Sequence, residues 1–203
     1  MVVTRTPAAR FGVSSRLWRG SPVWVAGEPS AIPEKPQPQP QPQSIDVYFS
    51  PNGRIQKRII DEIDKAKSTI DIAIFSFTSE KVARALTKAK KRGVSIRLIM
   101  DSETTKDDYS QWNYLDKNGF AMKRLSGKKR YKKEEDTEDK WGDMHNKFII
   151  FDGNSDSRLL MTGSYNLSES AEKYNYENAL FIPDKSVIQA YQEMFEELWS
   201  KEK

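Results

Sequence analysis

The chain has 203 residues, 37% of them hydrophobic and 31% charged, which supports one domain of ordinary size with a soluble surface and some additional chain. It has no cysteine, which excludes disulfides and thiolate metal sites while leaving the redox compartment open, and no run approaches the roughly eighteen apolar residues that a membrane-spanning helix needs. Residues 1–43 hold five Lys/Arg against two Asp/Glu, whereas the rest of the chain holds 28 basic and 27 acidic groups, so overall charge does not select a polyanionic partner for the remainder.

In chain order, residues 1–43 read as a disordered or targeting segment. Arg5, Arg10, Arg16 and Arg19 precede the first acid, Glu28, and the stretch ends in alternating Pro/Gln from Pro36 to Gln43. Proline at every second position removes backbone donors and favours an extended spacer. The acid-poor start resembles an organellar transit peptide, with a plain disordered tail as the alternative. A folded domain is expected over 44–203. Ile45–Phe49 reads as a short strand, and Ile55, Ile59, Ile63 and Ala66 fall at helical spacing over 54–67. Ile70–Phe77 is a buried-strand run. Ser79 is placed to cap a helix through Arg92, with Val82, Leu86 and Ala89 inward and Gly93 as its stop. Val94–Met100 is a strand, Asp107–Asn118 a helix with Trp112 and Leu115 on one side, and Phe120–Leu125 a strand.

Ser126–Asp143, with few apolar anchors, is expected as a mobile surface loop. It carries Lys128, Lys129, Arg130, Lys132 and Lys133, then a run of acids. Such a run is ordinarily a solvated face; substrate contact by Lys128, Lys129 and Arg130 is the functional alternative. Lys147–Phe151, Arg158–Thr162 and Ala179–Ile182 are strands, and Ser186–Trp199 is a last helix. The pattern predicts an α/β fold: a mixed, largely parallel sheet with helices on both faces.

The chain's only histidine, His145, stands two residues before Lys147 at the start of the apolar run Phe148–Phe151, and Asp152 ends that run. On a strand, residues two apart share a face, so an imidazole and an ammonium project together. Gly163-Ser164-Tyr165-Asn166 follows, where Ser164 and Asn166 share a face if extended and Gly163 permits close backbone approach. One nucleophile or base, one fixed cation, one hydroxyl and one amide suit a tetrahedral anion such as a phosphodiester. Taken singly, each element has an ordinary reading: a surface histidine, a salt bridge, a turn string.

Together, His145-x-Lys147-x4-Asp152 and Gly163-Ser164-x-Asn166 resemble the HKD motif of the phospholipase D superfamily. The likeness runs over roughly residues 45–200 and includes Ser76-Phe77-Thr78, Lys91-Arg92-Gly93-Val94 and Glu177-Asn178. The single motif copy is similar to the small bacterial endonuclease branch and, more distantly, to the mitochondrial cardiolipin hydrolase/Zucchini branch, whose cysteine-bearing zinc insertion this chain lacks. The resemblance implies a metal-independent phosphodiesterase with no cofactor. His145 would form a phosphohistidine, Lys147 and Asn166 would hold the non-bridging oxygens, and Ser164 would add a hydrogen bond. Glu177 would hold His145 Nδ1 and Asp152 would organise the motif. Since the leaving oxygen needs a proton and the chain has one histidine, a homodimer sharing the active site is implied. Three functions compete: a non-specific nuclease acting on DNA or RNA, a cardiolipin or other phospholipid phosphodiesterase, and a catalytically lapsed nucleic-acid-binding module. A membrane partner is not indicated. The family likeness leans to an extracytoplasmic protein, the Arg-rich start to an organelle.

Overall fold

Ile55, Ile59 and Ile63 recur every fourth residue and are fully buried, so the segment folds as a helix with one apolar stripe, α1 (Ile55–Lys65). Each such side chain contributes about 1.5–3 kcal/mol by leaving water. The computed structural model describes residues 44–129 and 141–201; the N-terminal segment 1–43 and Arg130 lie outside the described residues. α1 follows β1 (Asp46–Ser50) and precedes β2 (Thr69–Ile74). The helix α2 (Glu80–Lys91) starts where expected, because Ser79 Oγ accepts the Val82 N–H at its first turn. Gly93 then takes a positive φ of 96° that ends it.

The chain continues as β3 (Ser95–Asp101), a single 3₁₀ turn (Thr104–Lys106) and α3 (Trp112–Lys117). The helix expected from Asp107 therefore begins five residues late. The Gln111 N–H donates to the Phe77 carbonyl at 2.9 Å, and Ser110 Oγ accepts from the Trp112 N–H at 3.3 Å. Tertiary bonding thus commits the backbone that a longer helix would have used. β4 (Ala121–Lys129) and β5 (Trp141–Asp143) form an antiparallel hairpin, so the two ends of the expected loop are strands, while residues 130–140 lie outside the described ones. The two strands approach closely at Gly127, where an added Cβ would lie 2.7 Å from the Gly142 carbonyl carbon.

β6 (Lys147–Phe151), β7 (Leu159–Gly163), α4 (Glu169–Lys173), β8 (Glu177–Ile182) and α5 (Lys185–Ser200) complete the described chain. The sheet has eight strands in the order β1-β8-β7-β6-β2-β3-β4-β5. It is mixed and helix-covered, as expected. It is not largely parallel, however: parallel pairing is confined to β2–β3–β4, where helices cross between strands, and the other five strand pairs are antiparallel. One apolar layer joins the sheet to α1–α4, the other to α5 through Ile188, Phe195 and Leu198. No described helix is long and apolar enough to cross a membrane.

The strand directions decide where chemistry can gather. The C-terminal ends of β1, β2, β3, β4 and β7 and the N-terminal ends of β5, β6 and β8 all reach one end of the sheet. On the β4 side the hairpin projects past that end, since Asp101, the last residue of β3, already pairs with Leu125.

Candidate active site

Two segments cross that end of the sheet. From β7, residues 164–167 pass β6 and reach β2: the Leu167 N–H donates to the Ser76 carbonyl at 3.2 Å, and the Ser76 N–H donates to Asn166 Oδ1 at 3.2 Å. Leaving β6 toward its N-terminal side, residues 144–146 pass β2 and reach β3, where the Met144 N–H donates to Asp101 Oδ2 at 2.9 Å. Leu167 enters the core on the α1–α4 face and Met144 the core on the α5 face. His145, Lys147 and Asn166 are thereby gathered at the entry to β6.

His145 is exposed, with its ring packed against Phe75 at 4.6 Å between centroids. Lys147 is only 9% exposed; its Nζ donates to the His145 carbonyl at 3.0 Å and lies 5.1 Å from the Phe75 ring centre. Burial holds the Lys147 ammonium below the ordinary lysine pKa, opposed by the nearby Glu177 charge. A poorly solvated cation beside an exposed imidazole is suited to hold an anion. Asn166 is fixed through its oxygen, so its amide nitrogen remains available as a donor; among the described residues it has no hydrogen-bond partner.

Ser164 and Glu177 are joined to each other. Ser164 Oγ donates to Glu177 Oε2 at 2.5 Å and accepts from the Asn178 N–H at 3.1 Å; Glu177 Oε1 accepts from Asn175 Nδ2 at 3.1 Å. Among the described residues no hydrogen bond joins Glu177 to His145, so the geometry gives Glu177 to Ser164 rather than to the imidazole. The close approach expected at Gly163 is present: a Cβ there would lie 2.3 Å from the Asn178 carbonyl oxygen. Asp152 faces away from the other motif residues. Only 3% exposed, it accepts from the backbone N–H groups of Lys67, Ser68 and Thr69 and from the Ser68 hydroxyl. Lys128 lines a cavity with His145, whereas Lys129 stands across the hairpin from Trp141. Among the described residues no three His, Asp or Glu side chains converge as a metal site would require.

Phe75 and Asp101 were not singled out from the sequence. Phe75 ends an apolar run, which conceals its role. Asp101 ends another, and its only signal is an acid where a buried strand stops. Buried to 1% exposure, it accepts from Met144 through Oδ2 and from the Glu103 and Thr104 N–H groups through Oδ1, at 2.9 and 3.2 Å. The Thr104 hydroxyl in turn donates to the Phe75 carbonyl. Asp101 is therefore a positioning residue for the segment carrying His145. Asp101→Ala should lower kcat on a phosphodiester roughly ten- to a hundredfold, with partial rescue by Asp101→Asn, as steady-state kinetics would show.

The fold and this arrangement are those of a phospholipase D-like domain. Residues 59–199 match the family described as "Cardiolipin synthase, PLD-like domain", and the chain belongs to that family. It is 30% identical over 137 residues to mitochondrial cardiolipin hydrolase of Xenopus tropicalis, covering 68% of this chain and 57% of that one. It is 29% identical over 147 residues to phospholipase D of Rickettsia conorii, covering 72% and 65%. The chain thus spans between half and two thirds of these curated relatives. Among solved structures it is similar to NucT from Helicobacter pylori, with a TM-score of 0.66 and 26% identity, covering 77% of this chain and 95% of that one. It is also similar to Nuc, a phospholipase D family member from Salmonella typhimurium, with a TM-score of 0.62 and 28% identity, covering 77% and 93%.

Proposed function

We propose that the protein is a phosphodiesterase acting on nucleic acid, as an endonuclease without marked sequence preference. The observation that carries this reading is the gathering of His145, Lys147 and Asn166 at one open end of the sheet, in a domain that spans nearly the whole of Nuc and NucT but little more than half of the cardiolipin hydrolase. Nε2 of His145 attacks phosphorus, forming a P–N bond as the P–O bond to the leaving oxygen breaks. Lys147 and Asn166 bind the two non-bridging oxygens as charge builds. The leaving oxygen takes a proton from an acid, and water then cleaves the P–N bond, releasing the second product and restoring His145.

His145 is the only histidine in the chain, and once bonded to phosphorus it cannot supply that proton. The reading therefore includes a second copy whose His145 acts as the acid. β6 lies three strands in from the β1 edge, roughly 14 Å at the usual strand spacing. Pairing the β1 edges would keep the two histidines roughly 30 Å apart, too far for one phosphate. The sharing of a site requires the active ends of the two sheets to face each other.

Phospholipid hydrolysis is the second reading, and one observation favours it. Ile45, Val47 and Phe49 lie exposed along one face of the β1 edge, and Tyr174 and Tyr176, beside Glu177, are exposed as well. Such a rim is what an enzyme working at a lipid surface needs. Incubating the full chain in excess EDTA with labelled single-stranded and duplex DNA, RNA and cardiolipin vesicles separates the readings. Nucleic-acid cleavage that persists in chelator is the expected result; cleavage that requires added Mg²⁺, or that is confined to cardiolipin, would sink the proposal.

A further inference from the structure

Tyr165 stands between Ser164 and Asn166, yet it is 1% exposed, and its ring lies in the apolar layer that joins the sheet to α1–α4. A phenol hydroxyl carried into such a layer needs a partner. It has one: Tyr165 Oη donates to Glu172 Oε2 of α4 at 2.8 Å. The same carboxylate oxygen accepts the Gln56 N–H from the first turn of α1 at 3.0 Å. The Gln56 side-chain amide in turn donates to Ser79 Oγ, the cap of α2, at 3.1 Å. Three helices are thus tied to the middle residue of the Gly163–Asn166 string, and this network takes no part in the chemistry set out above.

We propose that Tyr165 and Glu172 are positioning residues for the phosphodiester reaction: the bond between them fixes the segment from which Asn166 presents its amide nitrogen to the phosphate. The inference rests on the assignment of Asn166 to a non-bridging oxygen, and goes beyond it to what holds that amide in place. The segment is anchored at its near end by the Ser164 N–H, which donates to the Asn178 carbonyl at 3.1 Å. At its far end the Leu167 carbonyl accepts from the Thr78 and Ser79 N–H groups, both at 2.9 Å. Between these anchors, the Tyr165 hydroxyl ties the segment to α4 and through it to α1. A donor aimed at charge that develops in the transition state loses its effect steeply when it is displaced by about 1 Å.

The chemistry of the pair suits a fixed support. Burial, and then the hydrogen bond to Glu172, hold the Tyr165 hydroxyl above the ordinary tyrosine pKa, so it stays protonated and remains a donor wherever the enzyme works. The two bonds accepted by Glu172 Oε2 come from different elements, so the carboxylate sets the distance from the motif segment to the start of α1. Packing and hydrogen bonding can be separated here, because phenylalanine keeps the buried ring and removes the bond alone.

The test measures kcat and KM in EDTA on single-stranded DNA and on bis(p-nitrophenyl) phosphate, whose leaving group needs no proton. Tyr165→Phe should lower kcat roughly five- to thirtyfold on both substrates, with KM changed less than about twofold. Glu172→Ala should lower kcat roughly ten- to a hundredfold, and Glu172→Gln, whose amide oxygen can accept the same two hydrogen bonds, should restore most of the loss. If Glu172→Ala fails to fold, Tyr165→Phe carries the test. In an Asn166→Ala background, Tyr165→Phe should cost nothing further, because a residue that acts through Asn166 has nothing left to position. Wild-type kcat in Tyr165→Phe, or a full additional loss in the double variant, would overturn the inference. Undiminished kcat in Asn166→Ala would overturn the oxygen-binding role and the inference with it. Cleavage of the small diester but not of DNA, with the same pattern of losses, would overturn the nuclease reading and support the positioning role.

Discussion

His145→Ala should reduce phosphodiester turnover by roughly 10⁴- to 10⁶-fold, the range seen when an enzyme's nucleophile is removed. On the proposed shared site the loss should be nearly total, because one substitution would remove two functions: the nucleophile of one subunit and the acid of the other. Mixing makes this separable from a simple loss. If each subunit works alone, equal amounts of wild-type and variant chains exchanged into random dimers retain about half the activity. If both histidines are required, only dimers with two wild-type chains work, and about a quarter remains. Stability should be unaffected, since His145 is exposed and its described side-chain contact is the tilted ring of Phe75. Retention of half the activity in the mixture would refute the shared site.

Asp152→Ala should have the largest effect on folding, a loss of about 3–5 kcal/mol in urea denaturation. The carboxylate is buried and gathers the Lys67, Ser68 and Thr69 N–H groups with the Ser68 hydroxyl. Alanine would leave these donors unpaired, and Asp152 also takes a φ of 47°, which alanine tolerates poorly. The same network sets a pH dependence. Burial is the largest single influence on the Asp152 pKa and pushes it up, but the backbone and hydroxyl hydrogen bonds together outweigh it and hold the group below the ordinary carboxylate value. With the folded pKa depressed, the stabilisation is full above the unfolded value, about 3.9, and is lost as pH falls through it toward the folded pKa. Wild-type stability should therefore fall more steeply below pH 4 than that of Asp152→Asn. Equal slopes would show that the charge contributes nothing.

Much of this was legible in the sequence because it was local. The four-residue spacing of Ile55, Ile59 and Ile63 and the run Phe148–Phe151 each specify one element without reference to the rest. His145 and Lys147, like Ser164 and Asn166, were visible as pairs two apart at strand boundaries. α4, with five residues, and β5, with three, are too short to show a period. The position of Asn166 depends on a loop crossing β6 to reach Ser76, and the role of Asp101 on a bond to Met144 from 43 residues away. Neither follows from spacing. Glu177, expected from the family likeness to hold His145, is bonded within this chain to Ser164, a contact that depends on how β7 and β8 pair rather than on spacing.

The edge strand β1 lies far from Glu177 in sequence yet adjoins it in space. Ser50 Oγ accepts from the Glu177 N–H across 127 residues of chain and donates to the Asn175 carbonyl. By contrast β6, β7 and β8, which flank or carry His145, Lys147, Ser164 and Glu177, pair with one another in sequence order, so their contacts close over short stretches. An edge strand with one neighbour is the kind of element that opens by itself while the rest stays folded. Each such opening withdraws the hydroxyl that holds Glu177, so the readiness of the site is tied to the fraying of a strand that carries none of its chemistry.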